Sequence, residues 1–129
     1  MTINAWPKGI SAITLFTEDL AATKDFYIKI FGLPVVYEDP NSTVFKIGET
    51  LINLLKTSQV DELIQPAKMA SREAGHRFVF TISVDDVDAL CAQITAQGVE
   101  LLNGPIDRPW GIRTASFVDP SGHIWEIAR

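Results

Sequence analysis

Two stretches of this chain carry the same succession of residue types. "ISAITLFT" (10–17), rich in β-branched and apolar side chains, is followed by acidic residues, an apolar run at helical spacing and a glycine. "RFVFTISV" (77–84) opens the same succession again. Asp19 lies 13 residues before Gly32 and Asp85 lies 13 before Gly98, so equivalent positions stand 66 residues apart. An internal repeat of this size constrains the fold before any single residue does, because each copy has to be the same supersecondary unit.

The unit reads as one strand, one helix and three strands. In the first copy, 10–17 is a strand, and Glu18 and Asp19 suit the positive end of the helix that follows in "LAATKDFYIKIF" (20–31). Gly32 stops that helix and Pro34 keeps it stopped. "LPVVYE", "STVFKI" and "TLINLLK" supply three short strands, the last two joined through "IGET". In the second copy, Asp85 and Asp86 open a helix in "VDALCAQITAQ", Gly98 ends it, and "VELL", "GIRTASFV" and "HIWEIA" are the strands. The expected fold class is α+β, with two tandem βαβββ modules forming a curved mixed sheet around a cleft. One domain spans 1–129, with modules at 9–56 and 77–129. The connecting segment, 57–76, carries a short helix at "VDELI" and is the candidate flap or subunit contact.

A chain of 129 residues buries enough surface to stand as one domain without staples. Its single cysteine, Cys91, permits no internal disulfide, which suits a cytoplasmic protein. No apolar run reaches the length of a membrane span, and "MTINAWPKGI" lacks the pattern of a signal peptide. Acidic residues outnumber basic ones by 16 to 11, so there is no basic footprint for nucleic acid. The expected partners are a small molecule and a second copy of the chain.

"DPSGHIWEIA" (119–128) holds His123 and Glu126 three positions apart. Strand side chains alternate, so the two point to opposite faces and cannot share a metal within one sheet. A four-residue turn at 119–122 pairs Phe117 with Ile124 and Ala115 with Glu126, which places Arg113 on the face of Glu126. On this register Trp125 and Ile127 lie on the helix side, Glu126 faces the cleft, and His123 sits at the rim. Thr14, Phe16, Thr81, Ser83 and Phe117 are expected to share the cleft face with Asn53. Trp110, in "RPWGIR", is set by Pro109 and Gly111 at the cleft mouth, where an aromatic wall suits a small-molecule pocket. Phe26, Tyr27 and Phe31 have helical spacing and read as core, and Cys91 reads as a small buried side chain.

"FYIKIFGLPV", "VDDVDAL" with Gly98, "PWGIR" and "FVDPSGHIWEIA", in that order on a duplicated βαβββ plan, resemble the vicinal oxygen chelate superfamily. That superfamily includes glyoxalase I, extradiol dioxygenases, and the fosfomycin- and bleomycin-resistance proteins, and the likeness runs from about Gly9 to the C-terminus. The resemblance implies paired modules forming a cleft, a homodimer, and in its enzymes a divalent metal held from the first and last strands of each module. Carried across by motif, the ligand positions fall at Ala12, Asn53, Val79 and Glu126. Alanine and valine offer no lone pair and an amide is a feeble ligand, so no metal cofactor is expected.

The resulting expectation is a metal-independent member that binds an aromatic or amphipathic molecule, as bleomycin-resistance proteins do when they sequester a drug. Trp110, Arg113, Phe117, Asn53, Thr14, Phe16 and Thr81 are its ligand-binding candidates and Glu126 its catalytic one. The alternatives are a lyase, isomerase or dioxygenase working through Glu126, and a non-catalytic structural or regulatory member. Glu126 itself reads as a base, as a counter-charge, or as a carboxylate held by Arg113.

Overall fold

A computed structural model describes residues 5–7 and 9–129, so part of the N-terminal segment read above against a signal peptide lies outside the described residues. The first module runs β1 (Ala12–Thr17), α1 (Leu20–Phe31), β2 (Val35–Asp39), β3 (Ser42–Ile47) and β4 (Thr50–Lys56). The second runs β5 (Phe80–Ser83), α3 (Val87–Ala96), β6 (Leu101–Asp107), β7 (Arg113–Val118) and β8 (Ile124–Ala128). The repeat is therefore structural, and each copy uses the same start signal. Asp19 accepts a hydrogen bond from the Ala22 N–H at 3.1 Å, and Asp86 accepts one from the Ala89 N–H at 3.0 Å. Gly32 ends α1 in the left-handed region at φ +65°, its N–H donating to the Ile28 carbonyl.

Each module folds into its own mixed four-stranded sheet, in the orders β1-β4-β3-β2 and β5-β8-β7-β6. The first and last strands of each module pair in parallel, β1 with β4 and β5 with β8. Between the modules, the connecting segment carries the expected short helix, α2 (Val60–Ile64), flanked by single 3-10 turns at 57–59 and 72–74. Val60 is fully buried and anchors it. Among the described residues no helix is long and apolar enough to cross a membrane.

Both helices feed one core. Tyr27 of α1 stacks on Phe45 of the first sheet at 5.6 Å and meets Trp125 of the second edge-on at 6.0 Å. Phe31 reaches Trp125 at 5.0 Å and Phe117 at 5.8 Å. Val87, Cys91 and Ile94 of α3 belong to the same cluster, as do Ile52, Leu54, Ala115 and Ile127. The helix sides of the two sheets thus share a single apolar interior, which leaves the opposite face of each sheet turned away from it.

The last hairpin departs from the expected register by one residue. Ser116 pairs with Glu126, Ala115 with Ile127 and Phe117 with Trp125. The cause is Asp119, which closes the turn with its own side chain by accepting from the N–H groups of Ser121 and His123, both at 2.9 Å. A slip of one residue moves a whole strand to the other face. Phe117 accordingly lies in the core at 0% exposure, not on the cleft face, and Arg113 falls on the face of the sheet away from Glu126.

Candidate functional site

On the open face of the first sheet, Thr14 lies across from Asn53 and Phe16 across from Leu55. The Asn53 amide donates to Thr14 Oγ1 at 3.4 Å, while its Oδ1 is buried with no partner among the described residues. On the open face of the second sheet, Thr81 lies across from Glu126 and donates to its Oε1 at 2.9 Å. Ser116 flanks Glu126 on the other side and Ser83 follows Thr81 along the strand. Alternation thus groups Thr14, Phe16 and Asn53 on one sheet and Thr81, Ser83 and Glu126 on the other.

No hydrogen bond among the described residues joins these two groups, and neither Asn53 nor Glu126 lines either of the cavities described below. Of the positions at which the fold could present metal ligands, Ala12 pairs with Leu51 and Val79 precedes β5, half exposed. Among the described residues no group of three or more His, Cys, Asp or Glu side chains converges. One carboxylate, one amide and two hydrocarbon side chains do not make a donor set for a divalent metal.

Arg113 is held elsewhere. Its guanidinium grips Asp88 at the start of α3 through two bonds of 2.9 and 3.0 Å, and takes Asp107 at 3.0 Å. Those bonds hold the Asp88 carboxyl below its ordinary range and raise the guanidinium further. The crevice around them, about 540 Å³, also exposes Asp85, Asp86, Arg108 and Arg129. Its central cation is already matched by two carboxylates. Trp110, 68% exposed, projects from the neighbouring turn with the Arg108 guanidinium 5.9 Å from its ring centroid. Its indole is open to a ligand, but among the described residues no hydrogen bond joins it to Glu126. Cys91 has its thiol pushed up by burial, an inert arrangement.

Sequence reasoning passed over Asp119. It is 2% exposed, yet its carboxylate is met by four donor groups. Oδ1 takes the Ser121 and His123 N–H groups, and Oδ2 takes the Tyr27 O–H at 2.8 Å and His123 Nδ1 at 2.9 Å. Trp125 Nε1 donates to the Tyr27 hydroxyl at 2.9 Å, completing a chain from the core to the imidazole. Burial, then the charge of Asp119, pushes the Tyr27 phenol far above its ordinary value. Beside this network, hydroxyls of Thr17, Thr23 and Ser121 bond one another across the two modules. His123 in turn lines a cavity of about 280 Å³ between β1, the 69–78 stretch and the β7–β8 turn. The signal was in the sequence: an aspartate four residues before a histidine across a tight turn.

A model of the Glyoxalase/Bleomycin resistance protein/Dioxygenase superfamily matches residues 9–127. The uncharacterized protein YraH of Bacillus subtilis (strain 168) is 32% identical, over 89% of this chain and 93% of its own. The anthracycline biosynthesis protein DnrV of Streptomyces peucetius is 30% identical over 89% of this chain, which spans only 44% of that protein. Among solved structures, a glyoxalase/bleomycin resistance protein/dioxygenase from Nocardioides superimposes with a TM-score of 0.84 at 22% identity, covering 98% of this chain and 85% of the other.

Proposed function

The chain belongs to the glyoxalase/bleomycin resistance protein/dioxygenase superfamily, and within it we propose a metal-independent cytoplasmic member whose clefts bind a small aromatic or amphipathic molecule. The observation that carries this reading is the donor-poor open face. Ala12 and Val79 stand where ligands would be needed, and Glu126, the one carboxylate, is engaged by Thr81. Hydroxyl and apolar side chains beside a single carboxylate suit recognition of a ligand better than activation of a metal-bound oxygen.

Each open sheet face is half a cleft, which supports a homodimer in which the Asn53 face of one copy meets the Glu126 face of the other. Thr14, Phe16, Thr81 and Trp110 then line the bound molecule, with Glu126 as a hydrogen-bond acceptor or counter-charge. The relationship to a protein named for anthracycline biosynthesis supports a planar, polycyclic class of ligand.

The test begins with metal content. Protein purified without chelator, then incubated with nickel, zinc, manganese and ferrous iron, is expected to retain none above background. Titration with an anthracycline, read by fluorescence and attributed by comparison with Trp110→Phe, is expected to saturate with no product formed. Sedimentation should show a dimer, and ligand affinity should fall on dilution below its dissociation constant. Stoichiometric metal that disappears in Glu126→Ala, or turnover abolished by Glu126→Gln, overturns the reading in favour of an enzyme.

A further inference from the structure

We propose that Arg108 reads a carbonyl oxygen on the ligand, so that the molecule taken by the open face of the second sheet is a planar aromatic ketone or quinone. This rests on the reading of that face as a ligand site and adds to it a residue that determines specificity. The first ground is where the guanidinium lies. Ser116 pairs with Glu126 and with Asn103, so the three share one face of the sheet, and Thr114, two residues along β7, shares it too. Arg108 Nε donates to Thr114 Oγ1 at 2.8 Å, and its Nη2 donates to Asn103 Oδ1 at 3.2 Å. The side chain is therefore laid along the Glu126 face. Asp107, the residue before it, turns to the other face and takes Arg113.

The second ground is what the guanidinium has left to give. Of the five N–H donors that an arginine carries, these two bonds occupy two, and the others have no partner among the described residues. Thr114 is fully buried and the group is pinned at two points, so the remaining donors are held in one orientation. No ion pair among the described residues includes Arg108 or Glu126. The surroundings are nonetheless acidic. Glu126 stands on the same face, and Arg108 also borders the crevice of Asp85, Asp86, Asp88 and Asp107. An anionic ligand would meet those carboxylates in a chain of net charge -5, whereas an uncharged carbonyl oxygen accepts from the guanidinium without that repulsion.

The third ground is Trp110. The turn that carries it is closed by the Arg108 N–H donating to the Ile112 carbonyl at 2.7 Å and the Gly111 N–H donating to the Arg108 carbonyl at 3.0 Å. It sets the exposed indole beside the guanidinium, whose central carbon lies 5.9 Å from the ring centroid. Arg108 is thus the residue that joins Trp110 to the Glu126 face. A planar molecule laid against the indole brings its ring edge to the guanidinium. A carbonyl on that edge receives a charge-assisted hydrogen bond that a bare hydrocarbon cannot.

The experiment titrates the full chain with fluorenone and with fluorene, which share one tricyclic frame and differ in the carbonyl, and with an anthracycline alongside. Fluorenone should bind about tenfold tighter than fluorene, and its bound carbonyl should show an infrared stretch below the value in an aprotic solvent. Arg108→Gln should weaken fluorenone by about tenfold, leave fluorene almost unchanged, and return the stretch toward its aprotic value. Arg108→Lys should keep part of the preference, because it still donates, and it serves as the variant if the glutamine fails to fold. The proposal is overturned if fluorenone and fluorene bind alike, or if the bound carbonyl keeps its aprotic stretch. It is equally overturned if Arg108→Gln weakens both ligands by the same factor, which marks a structural role. Any of these results with the anthracycline still bound defeats the role of Arg108 alone. Failure of all three ligands to bind defeats the ligand-site reading, and this proposal with it.

Discussion

The phenol of Tyr27, on the helix of the first module, donates a 2.8 Å hydrogen bond to the buried carboxylate of Asp119, in the final turn of the second. The two residues are 92 positions apart in the chain, and the bond fastens one copy of the repeat to the other at the point where the core ends and the turn begins. The same hydroxyl accepts from Trp125 Nε1, so removing it strands a donor and weakens the support of a buried charge. Tyr27→Phe should therefore cost about 1–3 kcal/mol, read as a lower urea midpoint with an unchanged slope. An unaltered midpoint would mean that the bridge contributes nothing to joining the modules.

Phe117 and Trp110 should respond in opposite ways to truncation. Phe117 is fully buried between Phe26 and Phe31 of α1 and the sheet, so Phe117→Ala should destabilise by about 3–5 kcal/mol. Trp110 lies mostly in water, and Trp110→Ala should stay within about 0.5 kcal/mol of the parent. Thermal denaturation of both variants checks the strand register directly, because the register first expected would have put Phe117 on the open face.

Gly104 sits in the irregular part of β6 at φ +90°. A Cβ there would lie 2.5 Å from the Thr114 carbonyl oxygen and 2.7 Å from Ala115 Cα, both backbone atoms that cannot swing aside. Gly104→Ala should cost more than about 2 kcal/mol, whereas the open surroundings of Gly48 leave alanine there with backbone strain alone. Chemical denaturation of the pair separates the steric contribution from the conformational one.

Asp88 gives the pH dependence a definite sign. Hydrogen bonds from Arg113 lower its folded pKa, so the stability it confers is present above the ordinary carboxylate range and is lost as pH falls through that lowered value. The pair is exposed, and the loss should be small. Carboxyl NMR should find the Asp88 midpoint below the usual range in the parent and shifted upward in Arg113→Gln. No upward shift would mean that Arg113 does not set it.

How much of this was legible depends on how local the determining signal was. The helix from Leu20 to Phe31 is bounded in the sequence by its own cap and its own stop, Asp19 and Gly32, and the structure keeps both. That Thr14 shares a face with Asn53, and Thr81 with Glu126, followed from alternation, which depends on geometry within a strand; their direct pairing came from the structure. The hairpin register depended on what the Asp119 side chain does inside the turn, and residue types alone allowed either turn length. That one ambiguity carried Arg113 and Phe117 to the wrong face together. Asp119 and His123 were read as turn and rim, because their significance comes from Tyr27, which reaches them from the other module.

The single interior fed by α1 means that the two halves of this chain cannot be separated, although their sequences repeat. Cutting within 57–76 would give a first half whose Tyr27 and Phe31 lose Trp125 and Phe117, and a second half whose sheet exposes those same rings to water. Neither fragment would be expected to melt with a sharp transition of its own, and mixing them should restore one. The ancestral copies, if they once stood alone, have exchanged that independence for a joint cooperative unit, and the repeat now survives as an architectural pattern rather than as two interchangeable parts.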